Sequence, residues 1–166
     1  MIQNPFYIGK NGGTAPINFG YKLNRFSFDK NLSVRQQGVC GVSWSNGSEK
    51  VSLVATGTID GYPTPDLSKF IVVYDSREHM PPSNAVVYNA DGSVKLILTV
   101  PKRLSKKGVN HTGQGELSKF HRVSWWQSDE YIAFDIFIDD SDFLEKRLLR
   151  MSDYEFDTEF YQTWRL

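Results

Sequence analysis

Three histidines, His79, His111 and His121, and one cysteine, Cys40, are the residues of this chain best suited to hold a metal or move a proton. Zinc sites need ligands at short paired spacings such as His-x3-His or Cys-x2-Cys. No such pair occurs, so no metal is expected. His111 lies in a glycine-containing stretch and is the histidine to test as an acid or base; a solvated loop residue is its simpler reading. A nucleophilic Cys40 would need an adjacent base, and a small buried strand residue is the simpler reading. Asp139-Asp-Ser-Asp142 resembles a run of calcium ligands. An EF-hand loop requires glycine at its sixth position, where counting from Asp139 or Asp140 gives Leu144 or Glu145. Gly113-Gln-Gly115 lacks the Gly-Lys-Ser/Thr ending of a phosphate loop, and no Gly-x-Ser-x-Gly elbow is present. The chain therefore reads as non-enzymatic, with no catalytic residue and no cofactor.

The carboxylates carry the strongest signal. The 166 residues have zero formal net charge, but residues 127–166 hold eleven of the nineteen acids against four bases, a net charge of −7. Residues 101–126 carry six bases against one acid. Basic residues beside Trp125-Trp126 could bind single-stranded nucleic acid by charge and stacking. The acidic segment that follows repels phosphates, so no nucleic-acid partner is expected. A row of carboxylates along one strand face also differs from the acid and base set across a cleft that glycoside hydrolysis needs.

The elements that must position these groups are mostly strands. Alternating β-branched and aromatic residues mark Ile17–Phe28, Gly38–Trp44, Lys50–Gly57, Lys69–Tyr74, Ala85–Asn89, Ser93–Val100, Lys119–Gln127, Tyr131–Ile138 and Tyr154–Trp164. Asp91-Gly92 supplies the positive φ of a tight turn and predicts a hairpin over 84–100; Asn46-Gly47 predicts another. Asp142–Met151 has the helix formers and apolar face of a short helix, while Phe143–Leu149 equally suits the second strand of a hairpin turning at Asp139–Asp142. Both alternatives stand. Asp60–Asp66, with two prolines, and Lys106–Gly115 read as exposed loops. The expected fold is mainly β, or α+β with few helices: a largely antiparallel sheet with hairpins in one domain spanning 1–166.

In Tyr154–Trp164 the alternation places Phe156, Phe160 and Trp164 on a buried face and Glu155, Asp157 and Glu159 in a row on the other. With Asp139, Asp140 and Asp142 they are the candidate partner-binding residues, and they would form one negative face if the turn and the strand are neighbours. No signal peptide is evident, no apolar run is long enough to span a membrane, and a lone thiol suits a reducing compartment. A cytoplasmic location is expected.

The stretch Pro81-Pro-Ser-Asn-Ala-Val-Val-Tyr-Asn-Ala-Asp-Gly-Ser-Val-Lys95, with the compact size and the acidic C-terminal part, resembles the small cytoplasmic immunity proteins of bacterial polymorphic-toxin and contact-dependent inhibition systems. The resemblance implies a role: binding and neutralising one toxin domain, often a basic nuclease. It carries no binding residue across by motif. A structural β-domain of a bacterial or phage assembly, or an enzyme whose site is assembled from distant residues, are the alternatives.

Overall fold

A computed structural model describes residues 1–17, 38–105, 118–138 and 143–165. These residues form three four-stranded antiparallel sheets and, among them, no helix. The N-terminal sheet runs β2 (Thr14–Pro16), β1 (Ile2–Gly9), β3 (Val39–Asn46), β4 (Glu49–Val54). The middle sheet is a meander of β5 (Thr58–Pro63), β6 (Lys69–Asp75), β7 (Ala85–Asn89) and β8 (Val94–Leu98). The C-terminal sheet is a second meander, β9 (Lys119–Trp125), β10 (Tyr131–Phe137), β11 (Phe143–Arg150) and β12 (Gln162–Arg165).

The middle sheet is the core of the molecule. Phe70-Ile-Val-Val-Tyr74 does not alternate, and all five residues are buried, so β6 is covered on both faces. Trp44 of β3 stacks on Phe70 with centroids 4.6 Å apart, and its Nε1 donates to Ala90 O at 2.7 Å. Stacking adds about 1 kcal/mol beyond the area that both rings bury.

The predicted 84–100 hairpin is present as β7 and β8, joined through Asp91-Gly92 with Gly92 at φ +86°. Asp91 Oδ1 accepts from Ser93 N at 2.9 Å, which holds the turn. A Cβ on Gly92 would lie 2.7 Å from Val51 Cγ1, so the turn also needs the missing side chain to pack on β4. Gly92→Val should cost roughly 2–3 kcal/mol, from positive φ in a β-branched residue and from the clash with Val51. An unchanged urea midpoint would refute this account of the turn.

Three expectations need correction, and one open alternative is decided. Asp60–Asp66 is not an exposed loop: β5 covers Asp60–Pro63, and Gly61, Tyr62, Pro63 and Thr64 are buried. Its Pro63 is tolerated because β5 is an edge strand that pairs on one side, with β6. Strands β1 and β2 fall in a stretch that showed no strand signal. The 142–151 ambiguity resolves as strand over Phe143–Arg150, paired along its whole length with β10. The helical face gives way because β11 buries both sides, Leu144 and Leu148 on one and Glu145, Arg147 and Leu149 on the other.

The last correction concerns Tyr154–Trp164. Only Gln162–Arg165 is a strand. Tyr154 adopts φ +60°, and after a single bridge from Leu149 to Phe156 the chain leaves the ladder. Asp157 Oδ1 then accepts the amides of Glu159 at 2.9 Å and Phe160 at 2.6 Å, which makes a turn. Aspartate favours this local bonding over extended pairing. Phe156, Phe160 and Trp164 therefore do not share a buried face. Phe156 packs against Phe120 and Phe134, Phe160 against Trp126, and Trp164 beneath Lys146. Most of the expected strand Ile17–Phe28, the loop 106–115, His111, Asp139, Asp140 and Asp142 lie outside the described residues.

The C-terminal sheet docks through its edge strand β9. An unpaired strand edge exposes backbone donors and acceptors that must be satisfied. Here the side chains of Asn84 and Asp60 supply partners, and the Trp125 side chain of β9 reaches back to the middle sheet. Buried Asn84 donates Nδ2 to Phe120 O at 2.9 Å and accepts Phe120 N on Oδ1 at 3.0 Å. Asp60 Oδ2 accepts Val123 N at 3.1 Å, and Trp125 Nε1 donates to Pro63 O at 2.8 Å.

Candidate partner-binding surface

In a meander, alternate turns fall at the same end of the sheet. The turns at 64–68 and 90–93 share one end of the middle sheet, and the turn at 126–130 and the segment at 151–155 share one end of the C-terminal sheet. Four contacts define this end: the first two join the N-terminal sheet to the middle one, the third joins the C-terminal sheet to the middle one, and the last lies within the C-terminal sheet. Ile2 N donates to Leu67 O at 2.8 Å. Trp44 reaches Ala90 and Trp125 reaches Pro63 through the bonds given above. Met151 N donates to Glu130 O at 2.9 Å.

The result is an acidic end built from separate turns: Asp66, Asp91, Asp129, Glu130, Asp153 and Glu155, all exposed. Arg150 answers part of this charge through a 2.7 Å bond to Asp153 Oδ2. That pair is solvent-exposed and contributes little stability. Partial burial would raise the Asp66 pKa, but hydrogen bonds from Thr64 and Ser68 outweigh it and hold the carboxyl below its usual range. The Ser93 hydroxyl and amide hold Asp91 low in the same way. These two charges therefore persist into mildly acidic solution.

The opposite end has a different character. Arg77 and Lys102 are exposed there, Lys119 pairs with Asp75 at 3.2 Å, and Glu78 Oε1 accepts Thr56 N at 2.7 Å. The Ser76 hydroxyl and the Thr56 amide pull Glu78 down to about 2. Met80 and Val54 are the exposed apolar side chains at this end.

Of the residues expected to form the acidic face, the structure describes Glu155, Asp157 and Glu159. Glu155 is exposed at the acidic end. Asp157 is half-buried and its Oδ1 caps a turn, and Glu159 is the exposed residue whose amide it binds. Ile138 and Phe143, which flank Asp139–Asp142, stand at the other end of β10 and β11 from Glu155. Asp129, Glu130 and Asp153 belong to the acidic segment but were not singled out as partner-binding residues, and Asp66 and Asp91 were not linked to it because they lie far away in sequence. Their signal lay in the turns: each follows or precedes a strand at the same phase of the meander.

Among the described residues, no group of three or more His, Cys, Asp or Glu side chains is arranged to hold a metal. His79 packs its ring on Tyr74 at 4.6 Å and His121 on Phe137 at 4.5 Å. Cys40 is half-buried as a free thiol.

A different pair of charges is fully enclosed. Glu145 and Arg147 on β11 lie on the same side of the strand, with Arg147 Nη1 3.3 Å from Glu145 Oε1. Glu145 accepts the amides of Leu104 and Ser105, while Arg147 donates to Lys102 O and Asp157 O, each at 2.7 Å. The pair clamps the segment at 102–105 and the turn at 157–160 onto the C-terminal sheet.

No family model matches this chain. No curated protein matches it either. Among solved structures, a chain of the structure described as Tne2 in complex with Tni2 has a similar fold. The match covers 99% of this chain and 100% of that chain, with a TM-score of 0.65 and 13% sequence identity.

Proposed function

We propose that this protein is a cytoplasmic immunity protein that binds and neutralises a basic toxin domain through its acidic end, by occupying it rather than by catalysis. The observation that carries the reading is the whole-length likeness in fold to a chain that was solved in complex with a second protein. The resemblance of the 81–95 stretch and the acidic C-terminal part to immunity proteins points the same way. Six exposed carboxylates converging from both meanders supply a field that steers a cationic partner and rejects an acidic one.

Affinity purification from the native cell, washed at low and then at high salt, tests the reading. The expected product is one basic protein that leaves as salt rises, and whose expression alone arrests growth unless this protein is coexpressed. A partner that is harmless alone, or a growth arrest that coexpression does not relieve, would remove the immunity role.

The surface has its own test. Glu130→Lys with Glu155→Lys changes two exposed residues that the fold does not use through their side chains. Association with the purified partner should slow by roughly tenfold or more at low salt, with the difference closing at high salt. A wild-type association rate at low salt would exclude the acidic end as the docking surface.

A further inference from the structure

We infer that this protein forms a two-fold dimer in which β8 pairs antiparallel with β8 of a second copy and joins the two middle sheets into one. β8 is the last strand of the middle sheet and, among the described residues, pairs with β7 alone. Val100 N turns inward to Pro82 O at 2.9 Å, and by alternation the amides of Ile97 and Thr99 point outward, away from β7. Val94 and Ile97 are 55% and 50% exposed, two of the large apolar side chains that the described residues leave in water. An edge open in its backbone and apolar in its side chains is a template for another strand.

The residues of the edge select a second copy as that strand. Val87 faces Leu96 and Tyr88 faces Val94, so Lys95 is an extra residue in a bulge that closes off the start of β8. Leu96–Thr99 is left to pair. With the two-fold axis at Ile97, each Ile97 meets the other, Leu96 meets Leu98, and Lys95 falls beside Thr99 rather than beside the other Lys95. Apolar pairs directly across an antiparallel ladder stabilise it, and like charges there oppose it. Lys95 would also repel the cationic protein drawn to the acidic end, so the two surfaces take different occupants. Once β8 is paired no open β8 edge remains, and the assembly stops at two.

The N-terminal sheet leaves the same side open. β4 is its edge, and Val51 of β4 lies against Gly92 of the β7–β8 turn, which places β4 over β8. The two-fold that pairs β8 therefore brings β4 alongside its copy, and the dimer continues both layers. A single short strand pair falls at the low end of stable interfaces, so this second edge matters and the dimer depends on concentration. Asp91 precedes β8, so antiparallel pairing sends the two acidic ends in opposite directions and leaves both free.

Analytical ultracentrifugation of the intact protein over a dilution series should show a species of twice the 19.0 kDa chain mass that dissociates on dilution. Ile97→Lys puts two charges on the axis and should weaken the dimer by roughly tenfold or more. Disulfide trapping checks the register. With Cys40→Ser as background, Ile97→Cys should crosslink under mild oxidation, because Cα atoms of a hydrogen-bonded antiparallel pair lie about 5.5 Å apart. Val94→Cys should not, since its copy would lie about 20 Å away, six strand rises. A monomer at every concentration, a dimer indifferent to Ile97→Lys, or equal crosslinking of both variants would overturn the proposal. So would a monomer whose Ile97→Lys variant loses its protein partner, which would give this edge to a foreign strand. If Ile97→Lys does not fold, the dilution series and the two crosslinking variants decide.

Discussion

Replacing Glu145 by alanine should cost about 3–5 kcal/mol, one of the two largest losses expected from a single change in this protein. Glu145 is 1% exposed and Arg147 2%. Neither charge can reach water, and each is tolerable only because the other is there. Removing Glu145 leaves the guanidinium buried and strands the amides of Leu104 and Ser105, which its two oxygens accept at 3.2 and 2.9 Å. Burial disfavours the charge on Arg147, and Glu145 opposes that effect. Urea unfolding of Glu145→Ala at neutral pH is the measurement, and a loss under 1 kcal/mol would show that the clamp is dispensable. The double variant Glu145→Leu with Arg147→Met separates charge from packing. It should lose less than the single variant, because no unpaired charge remains inside. A double variant that loses as much would mean that the backbone contacts, not the charge, dominate.

Asn84→Leu should be comparably damaging, at about 3 kcal/mol or more. Leucine keeps the branch point and the number of side-chain heavy atoms but is bulkier, so part of the loss is overpacking and most is lost hydrogen bonding. The Asn84 side chain is 0% exposed and serves three backbone groups: Tyr74 O at 2.8 Å, Phe120 O at 2.9 Å and Phe120 N at 3.0 Å. Leucine leaves all three without the partner they now have, and each buried orphan costs about 1–3 kcal/mol. Two of the three belong to the open edge of β9, so the C-terminal sheet should loosen first. Hydrogen exchange at Phe120 N should rise more than at Phe70 N in the middle sheet. Equal protection at both sites, with unchanged global stability, would show that β9 docks by apolar packing alone.

Both residues illustrate what composition and periodicity cannot reveal. Glu145 and Arg147 are ordinary charged residues in a segment readable as helix or strand. Only the pairing with β10 and the burial of both strand faces set their roles. Asn84 stands at the start of the 84–100 hairpin with nothing in sequence to mark it, and its partner at Phe120 is 36 residues away. Asp60 sat in a stretch whose prolines suggested a loop; the edge position of β5 accommodates Pro63. The C-terminal alternation was misleading for a local reason. The Asp157 carboxylate finds amides two and three residues ahead, and that bonding wins over extension.

Local sequence alone determined the β class, most strand positions of the two meanders, and the turns at Asn46-Gly47 and Asp91-Gly92. These depend on side-chain alternation and on backbone conformations that only neighbouring residues control. Sequence also held the net acidity of the last forty residues. It did not decide where that charge goes. Asp66 and Asp91 join Asp129, Glu130, Asp153 and Glu155 only because the two meanders dock with their turns at the same end. Asp139, Asp140 and Asp142, adjacent to them in the acidic segment, are flanked by residues at the other end. Tertiary structure decided the surface because charge is carried by residues, while a field is made by their positions. The positions follow from long-range bonds at Leu67, Ala90, Pro63 and Phe120, which no window of sequence contains.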